Sequence, residues 1–225
     1  MKEVKHLRIR KKPNVKEKLL DFSDIVINID IERFESYKGQ WRNMFAENSS
    51  IDKKLFVELG TGKGDFISQL AEINPDIYFV GLEMEATVVY AAARKIREKG
   101  LKNVRLIVFD INDIDKIFAE NEIDRIYINF CDPWPKKRHA KRRLTHNRFL
   151  EKYRYLLKSN GEIQFKTDNR GLFDFSLEQF EIANLKVSEI TYDLHLNEPV
   201  DNIQTEYEKK FSAQNVPICR CVLQF

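Results

Sequence analysis

Apolar and polar positions change period in regular blocks along most of this chain. Leu55-Phe56-Val57-Glu58-Leu59 is a short, nearly continuous apolar run ending in glycines, the pattern of a buried strand. Phe66 to Ile73 has helical spacing and stops near Pro75. Ile77 to Leu82 reads as a second strand closed by Glu83, and Glu85 to Lys99 as a helix with Gly100 as its stop. Val104 to Phe109 is a third strand closed by Asp110, followed by a short helix over Asp113 to Phe118. Ile123 to Phe130, Glu162 to Lys166, Lys186 to Leu194 and Pro217 to Phe225 are further strands, the last two expected to pair antiparallel. Helices over Asn147 to Leu157 and Leu172 to Ala183 separate them. The alternation predicts an α/β fold: an open, mostly parallel seven-stranded sheet with helices on both faces and an antiparallel last strand. Ile31 to Ala46, with Phe34, Tyr37, Trp41 and Phe45 at helical spacing, predicts a lead-in helix. Residues 1–24 read as a basic N-terminal arm and 25–225 as one domain.

Composition narrows the class. No apolar run approaches the roughly 20 residues that span a bilayer. The N-terminus is charged and has no signal core. Cys131, Cys219 and Cys221 form no C-x-x-C pair, and His6, His139, His146 and His195 show no metal spacing. A cytoplasmic protein with free thiols and no metal is expected. Net charge is only +3, but residues 1–18 and residues 136–143 each carry a balance of +6. The rest of the chain is acidic, so the asymmetry points to a polyanionic partner.

The first strand of the alternating region runs into Glu58-Leu59-Gly60-Thr61-Gly62-Lys63-Gly64. A P-loop would need glycine where Val57 stands and Ser or Thr where Gly64 stands; a dinucleotide fingerprint would need glycine in place of Asp65. The remaining G-x-G-x-G preceded by an acid suits S-adenosylmethionine, whose cationic sulfonium and amino group welcome carboxylates; a plain strand-to-helix turn is the alternative. Glu58, Glu83, Asp110 and Asp132 stand at or just after the ends of successive strands, where a ligand lies across an open sheet. Glu83 has the spacing of a ribose ligand and Asp110 suits an adenine amino group.

Asp132-Pro133-Trp134-Pro135 follows the fourth strand and leads into Lys136, Lys137, Arg138, His139, Lys141, Arg142 and Arg143. A carboxylate, a rigid aromatic turn and a cation cluster suit chemistry on an extruded base within a nucleic acid. Core packing of Trp134 is the plainer reading.

Asp-Pro-Trp-Pro-Lys-Lys-Arg-His at 132–139 with Lys141-Arg142-Arg143-Leu144 resembles the signature of the bacterial tRNA (guanine-N7-)-methyltransferase family. Glu58-Leu59-Gly60-x-Gly62-x-Gly64, Gly81-Leu82-Glu83, Phe165-Lys166-Thr167-Asp168 and Thr205-Glu206-Tyr207-Glu208-Lys209-Lys210-Phe211 support it, and the likeness extends over roughly residues 20–225. The resemblance implies a Rossmann-like class I S-adenosylmethionine-dependent methyltransferase. Its product would be 7-methylguanosine in the tRNA variable loop, at tRNA nucleotide 46; the sequence leaves monomer and homodimer both open. It places Glu58, Gly60, Gly62, Gly64, Glu83, Asp110 and Asp132 at the cofactor and gives Asp132 the catalytic role. It assigns Lys136, Asp168 and the segment Thr205, Glu206, Tyr207 and Glu208 to the substrate, and Arg138, His139, Lys141, Arg142 and Arg143 to RNA. Cys131 departs from the serine expected there. The other readings are an amino-group nucleic-acid methyltransferase and a non-catalytic RNA-binding module on the same scaffold.

Overall fold

The strand Leu55–Leu59 (β2) is buried at every residue and forms the axis of the sheet. Its apolar run is continuous because both faces are covered. It pairs in parallel with Tyr78–Glu83 (β3) on one side and Ile123–Asn129 (β5) on the other, with Val57 opposite both Val80 and Ile126. In this computed structural model the described residues are 14–28, 31–45, 52–200 and 202–225. Val104–Val108 (β4) extends the sheet beyond β3, and Leu157–Thr167 (β6) extends it beyond β5, all in parallel. Cys219–Gln224 (β8) runs antiparallel between β6 and Lys186–Thr191 (β7).

Among the described residues the sheet has eight strands, one more than expected, in the order β1-β4-β3-β2-β5-β6-β8-β7. The added β1 is Val26–Ile27, too short for an alternating signal to show in the sequence.

Period-two alternation along β2 divides the core. Leu55, Val57 and Leu59 face one hydrophobic cluster, together with Trp41, Phe149, Tyr153, Phe173 and Phe180; Phe56 faces the other. On the Phe56 side lie the helices Asp65–Ile73 (α2) and Ala86–Glu98 (α3), through Phe66, Ile67, Val89 and Ala92. On the opposite side lie Asn147–Leu156 (α4) and Arg170–Ile182 (α5).

One expectation needs correction. The lead-in helix over residues 31–46 is instead two 3-10 turns, Ile31–Tyr37 and Trp41–Met44, separated by Gly39 at φ 72°. The Glu122 carboxylate accepts the backbone N–H groups of Gly39 at 3.0 Å and Trp41 at 3.3 Å, so these donors point out of any continuous helix. Part of the expected arm is docked: Val15–Leu20 is a helix (α1), and the Arg97 guanidinium lies 3.9 Å from the Phe22 ring centre while donating to the Asp21 carbonyl. The remainder of that arm, residues 1–13, lies outside the described residues.

Successive strands leave β2 in opposite directions, toward β3 and β4 on one side and toward β5 and β6 on the other. A crevice therefore opens at the carboxyl ends of β2 and β5, because the loops that follow them diverge.

Candidate active site

A cavity of about 700 Å³ fills that crevice. Its walls include Glu58, Gly60, Gly62, Glu83 and Asp110 on one side and Asn129, Phe130, Asp132, Trp134 and Tyr207 on the other.

The first wall is built from strand ends. Gly60 and Gly62 have φ of 75° and 56°, and a Cβ on either would point into open space. A ligand can thus lie directly on the turn. Gly64 does something else. It is buried, absent from the cavity wall, and a Cβ there would stand 2.9 Å from the Ala92 Cβ. Its lack of a side chain lets α2 pack on α3. Glu83 ties the turn down, accepting the Gly62 N–H at 3.1 Å with one oxygen and the Glu85 N–H at 3.1 Å with the other. Asp110 caps the following 3-10 turn through Asn112 and still borders the cavity.

Glu58 is buried beneath this wall. It accepts from Thr61 Oγ1 at 2.7 Å and Asn129 Nδ2 at 3.1 Å. Burial pushes its carboxyl up to about 7, although both hydrogen bonds and the Lys166 charge pull the other way. The other amide atom of Asn129, Oδ1, is buried without a hydrogen-bond partner. An orphaned acceptor at a cavity wall is a place for a ligand's N–H donor. Asn129 was not singled out in the sequence; the available signal was a polar residue closing the apolar run Ile126-Tyr127-Ile128.

The donor set fits S-adenosylmethionine: an open glycine turn, an unpaired acceptor, acids on successive strand ends, and Met84 and Ile111 as apolar flanks.

The second wall holds unusual backbone. Phe130 and Trp134 have φ of 51° and 40°, a left-handed conformation that bulky side chains rarely adopt. Asp132, between them, is exposed on the wall. Trp134 is flanked by the Arg142 guanidinium at 4.9 Å and meets the His139 ring edge-on. The cations Lys136, Lys137, Arg138, Lys141 and Arg142 stand exposed along and beside the 3-10 helix Lys137–Arg142. Arg143 differs: its side chain is partly buried and turns inward, donating to the Pro133 and Trp134 carbonyls, each at 3.0 Å.

The short helix Glu206–Ser212 (α6) closes the site. Thr205 caps it, Oγ1 accepting the Glu208 N–H at 2.9 Å. Tyr207 stacks on Phe130 with ring centres 6.3 Å apart and borders the cavity. Glu208 is fully buried and is not on the cavity wall. One oxygen takes the Lys166 ammonium at 2.9 Å and the other the Asn202 amide at 2.8 Å. The expected contact of Glu208 with a base edge is therefore absent from this arrangement. Asp168 stands off the wall too, half-buried, its carboxyl raised by burial; it and Asp132 both act on the Cys131 thiol, which burial first of all pushes up to about 12. The cap of α5 is Asn169. The assignment of Glu206 rests on the sequence alone.

No metal spacing was read in the sequence, yet the fold gathers His195, Glu198 and Glu208 with ligand atoms within 4.8 Å of one another. Protein groups already use them: His195 Nδ1 meets Glu198 at 2.9 Å and Nε2 meets Ser212 Oγ at 2.6 Å, beside the Lys166 ammonium on Glu208.

An open α/β sheet with a glycine turn at its switch point, strand-end acids and a facing acid–aromatic turn defines a Rossmann-like class I methyltransferase. Among solved structures the fold is shared with "Structure of an Antibiotic Related Methyltransferase" (TM-score 0.55, 15% identity, 76% of this chain and 86% of that one). It is shared also with a SAM dependent methyltransferase from Aquifex aeolicus (TM-score 0.52, 16% identity, 95% of this chain and 98% of that one). A family profile described as "Putative methyltransferase" matches residues 52–221. Curated relatives include the tRNA (guanine-N(7)-)-methyltransferase of Bacillus velezensis, 44% identical over 97% of each chain. That of Bacillus subtilis is 42% identical over 97% of this chain and 99% of its own. The chain belongs to the tRNA (guanine-N(7)-)-methyltransferase family.

Proposed function

We propose that this protein transfers a methyl group from S-adenosylmethionine to N7 of a guanine in the variable loop of tRNA, at nucleotide 46. The observation that carries the reading is one cavity bounded by the open Gly60–Gly62 turn on one side and by Asp132 and Trp134 on the other, with an exposed cationic 3-10 helix beside it. Bound S-adenosylmethionine supplies an electrophilic methyl carbon with a sulfonium leaving group.

Guanine N7 has an in-plane lone pair and carries no proton at neutral pH, so no general base is required. The protein's task is alignment, worth about 7–11 kcal/mol in the best oriented systems. As the methyl group moves, positive charge develops on the ring. Asp132, exposed on the facing wall, stabilises that charge more than it stabilises the neutral base. Trp134 offers a flat face beside it, and the Tyr207–Phe130 stack gives the mouth a second aromatic surface. Asp168 stands off the wall, so it would have to turn toward the base to offer its carboxylate to the two adjacent donors on guanine's Watson–Crick edge, which adenine lacks. Glu208 fixes α6 through Lys166 and thereby sets Tyr207.

Lys136, Arg138, Lys141 and Arg142 meet phosphates, which sets affinity and register without reading sequence. Basic residues of the N-terminal arm add a second grip. Among the described residues no helix is long and apolar enough to cross a membrane, in keeping with work on tRNA in the cytoplasm. The test is incubation with labelled S-adenosylmethionine and unmodified tRNA, followed by nucleoside analysis. Label in 7-methylguanosine, identified by the opening of its cationic imidazole ring in alkali, is expected; label in an amino-methylated base, or none, overturns the reading.

A further inference from the structure

Arg143 belongs by position to the basic cluster, and its charge suits a phosphate. Its surroundings do not. Nε donates to the Pro133 carbonyl and Nη2 to the Trp134 carbonyl, both at 3.0 Å. The guanidinium carbon lies 4.1 Å from the centre of the Phe175 ring on α5. Its own N–H bonds the Ala140 carbonyl, closing the 3-10 helix. The planar fork is thus stacked on one face and bonded along one edge, a geometry a lysine cannot copy.

The two carbonyls it holds belong to the peptide units on either side of Trp134, whose φ is 40°. Such a conformation is strained in a bulky residue and persists only where surrounding bonds over-determine it. Among the described residues, Arg143 supplies side-chain bonds of this kind. We infer that Arg143 is a positioning residue: it clamps the Pro133–Trp134 turn in its strained form and so sets Asp132 and Trp134 at the cavity wall, leaving phosphate contact to its exposed neighbours. The inference rests on the methyl-transfer reading above for its kinetic consequence, but its structural consequence can be measured without it.

Arg143→Lys keeps the charge and removes the fork. In tRNA methylation its kcat should fall about 10- to 100-fold, with KM for tRNA and the salt dependence of binding close to those of the unsubstituted protein. Lys141→Ala should do the opposite to binding, raising KM and flattening the salt slope by about one. The chain has two tryptophans, and Trp41 is fully buried. Acrylamide quenching therefore reports Trp134, and it should increase in Arg143→Lys as the turn loosens. Unchanged kcat and quenching in Arg143→Lys, or a lowered salt slope, overturns the inference. Should that variant not fold, Phe175→Leu removes the ring beneath the fork and leaves the charge: lowered kcat at constant KM supports the clamp, and parental kinetics refute it. If the parental protein itself makes no 7-methylguanosine, the functional reading fails, while the quenching result still decides the clamp.

Discussion

The two walls of the cavity are held by different means. The cofactor side is mostly backbone: the Gly60 and Thr61 N–H groups bond the Leu82 carbonyl at 2.9 and 3.0 Å, and Glu83 receives two further backbone donors. The substrate side is mostly side chain: the Arg143 fork, the Lys166–Glu208 pair, and the Phe130–Tyr207 stack hold two left-handed residues and a short helix. A wall made of strand ends is as rigid as the sheet. A wall made of side-chain ties can be loosened one residue at a time, which suits the side that must admit a macromolecule.

The largest effect should come from Asp132. Asp132→Ala should lose most turnover, on the order of 10²-fold or more, as read by single-turnover kinetics at saturating S-adenosylmethionine. Asp132→Asn should retain part of it, because an amide dipole can still face the developing charge.

Next in size is the buried pair. Lys166 and Glu208 side chains are 6% and 0% exposed. Glu208→Ala leaves an ammonium without its partner and should cost about 3–5 kcal/mol in urea unfolding. Lys166→Met combined with Glu208→Leu should recover much of that stability and little of the activity. Recovery of both would mean α6 needs only packing to hold Tyr207.

Glu58 sharpens the comparison from the cofactor side. Its carboxyl is raised from 4.5 to about 7, so the folded protein keeps a proton that the unfolded chain releases above pH 4.5. The stability it contributes is present below pH 4.5 and is lost as pH rises through 7, a change on the order of 3 kcal/mol. Urea melts between pH 5 and 8 should show this fall, and Glu58→Gln should flatten it. The smallest effect is Thr205→Ala, which deletes the cap of α6 and should cost about 1 kcal/mol.

The same division explains what could be read in the sequence. The cofactor wall was legible because its signals are local: apolar strand, acid, glycine turn. Even there, Gly64 looked like its two neighbours and differs only because Ala92, on another helix, lies against it. The substrate wall depends on partners remote in sequence. Lys166 and Glu208 are 42 residues apart, and no local pattern pairs them until β6 and α6 are placed together. Arg143 is one of six Lys/Arg within residues 136–143, and only its angle to the turn sets it apart. The 3-10 turns at 31–44 were missed for a similar reason, since Glu122 takes their donors from 81 and 83 residues away.

The central claim is that this crevice delivers a methyl group to a ring nitrogen, with Asp132 steadying charge and removing no proton. The most direct measurement uses tRNA carrying 7-deazaguanosine at the target nucleotide, a base with carbon in place of N7 and its amino group intact. The account predicts binding equal to that of ordinary tRNA and no methyl transfer. Methylation of the deaza substrate at the normal rate would contradict it.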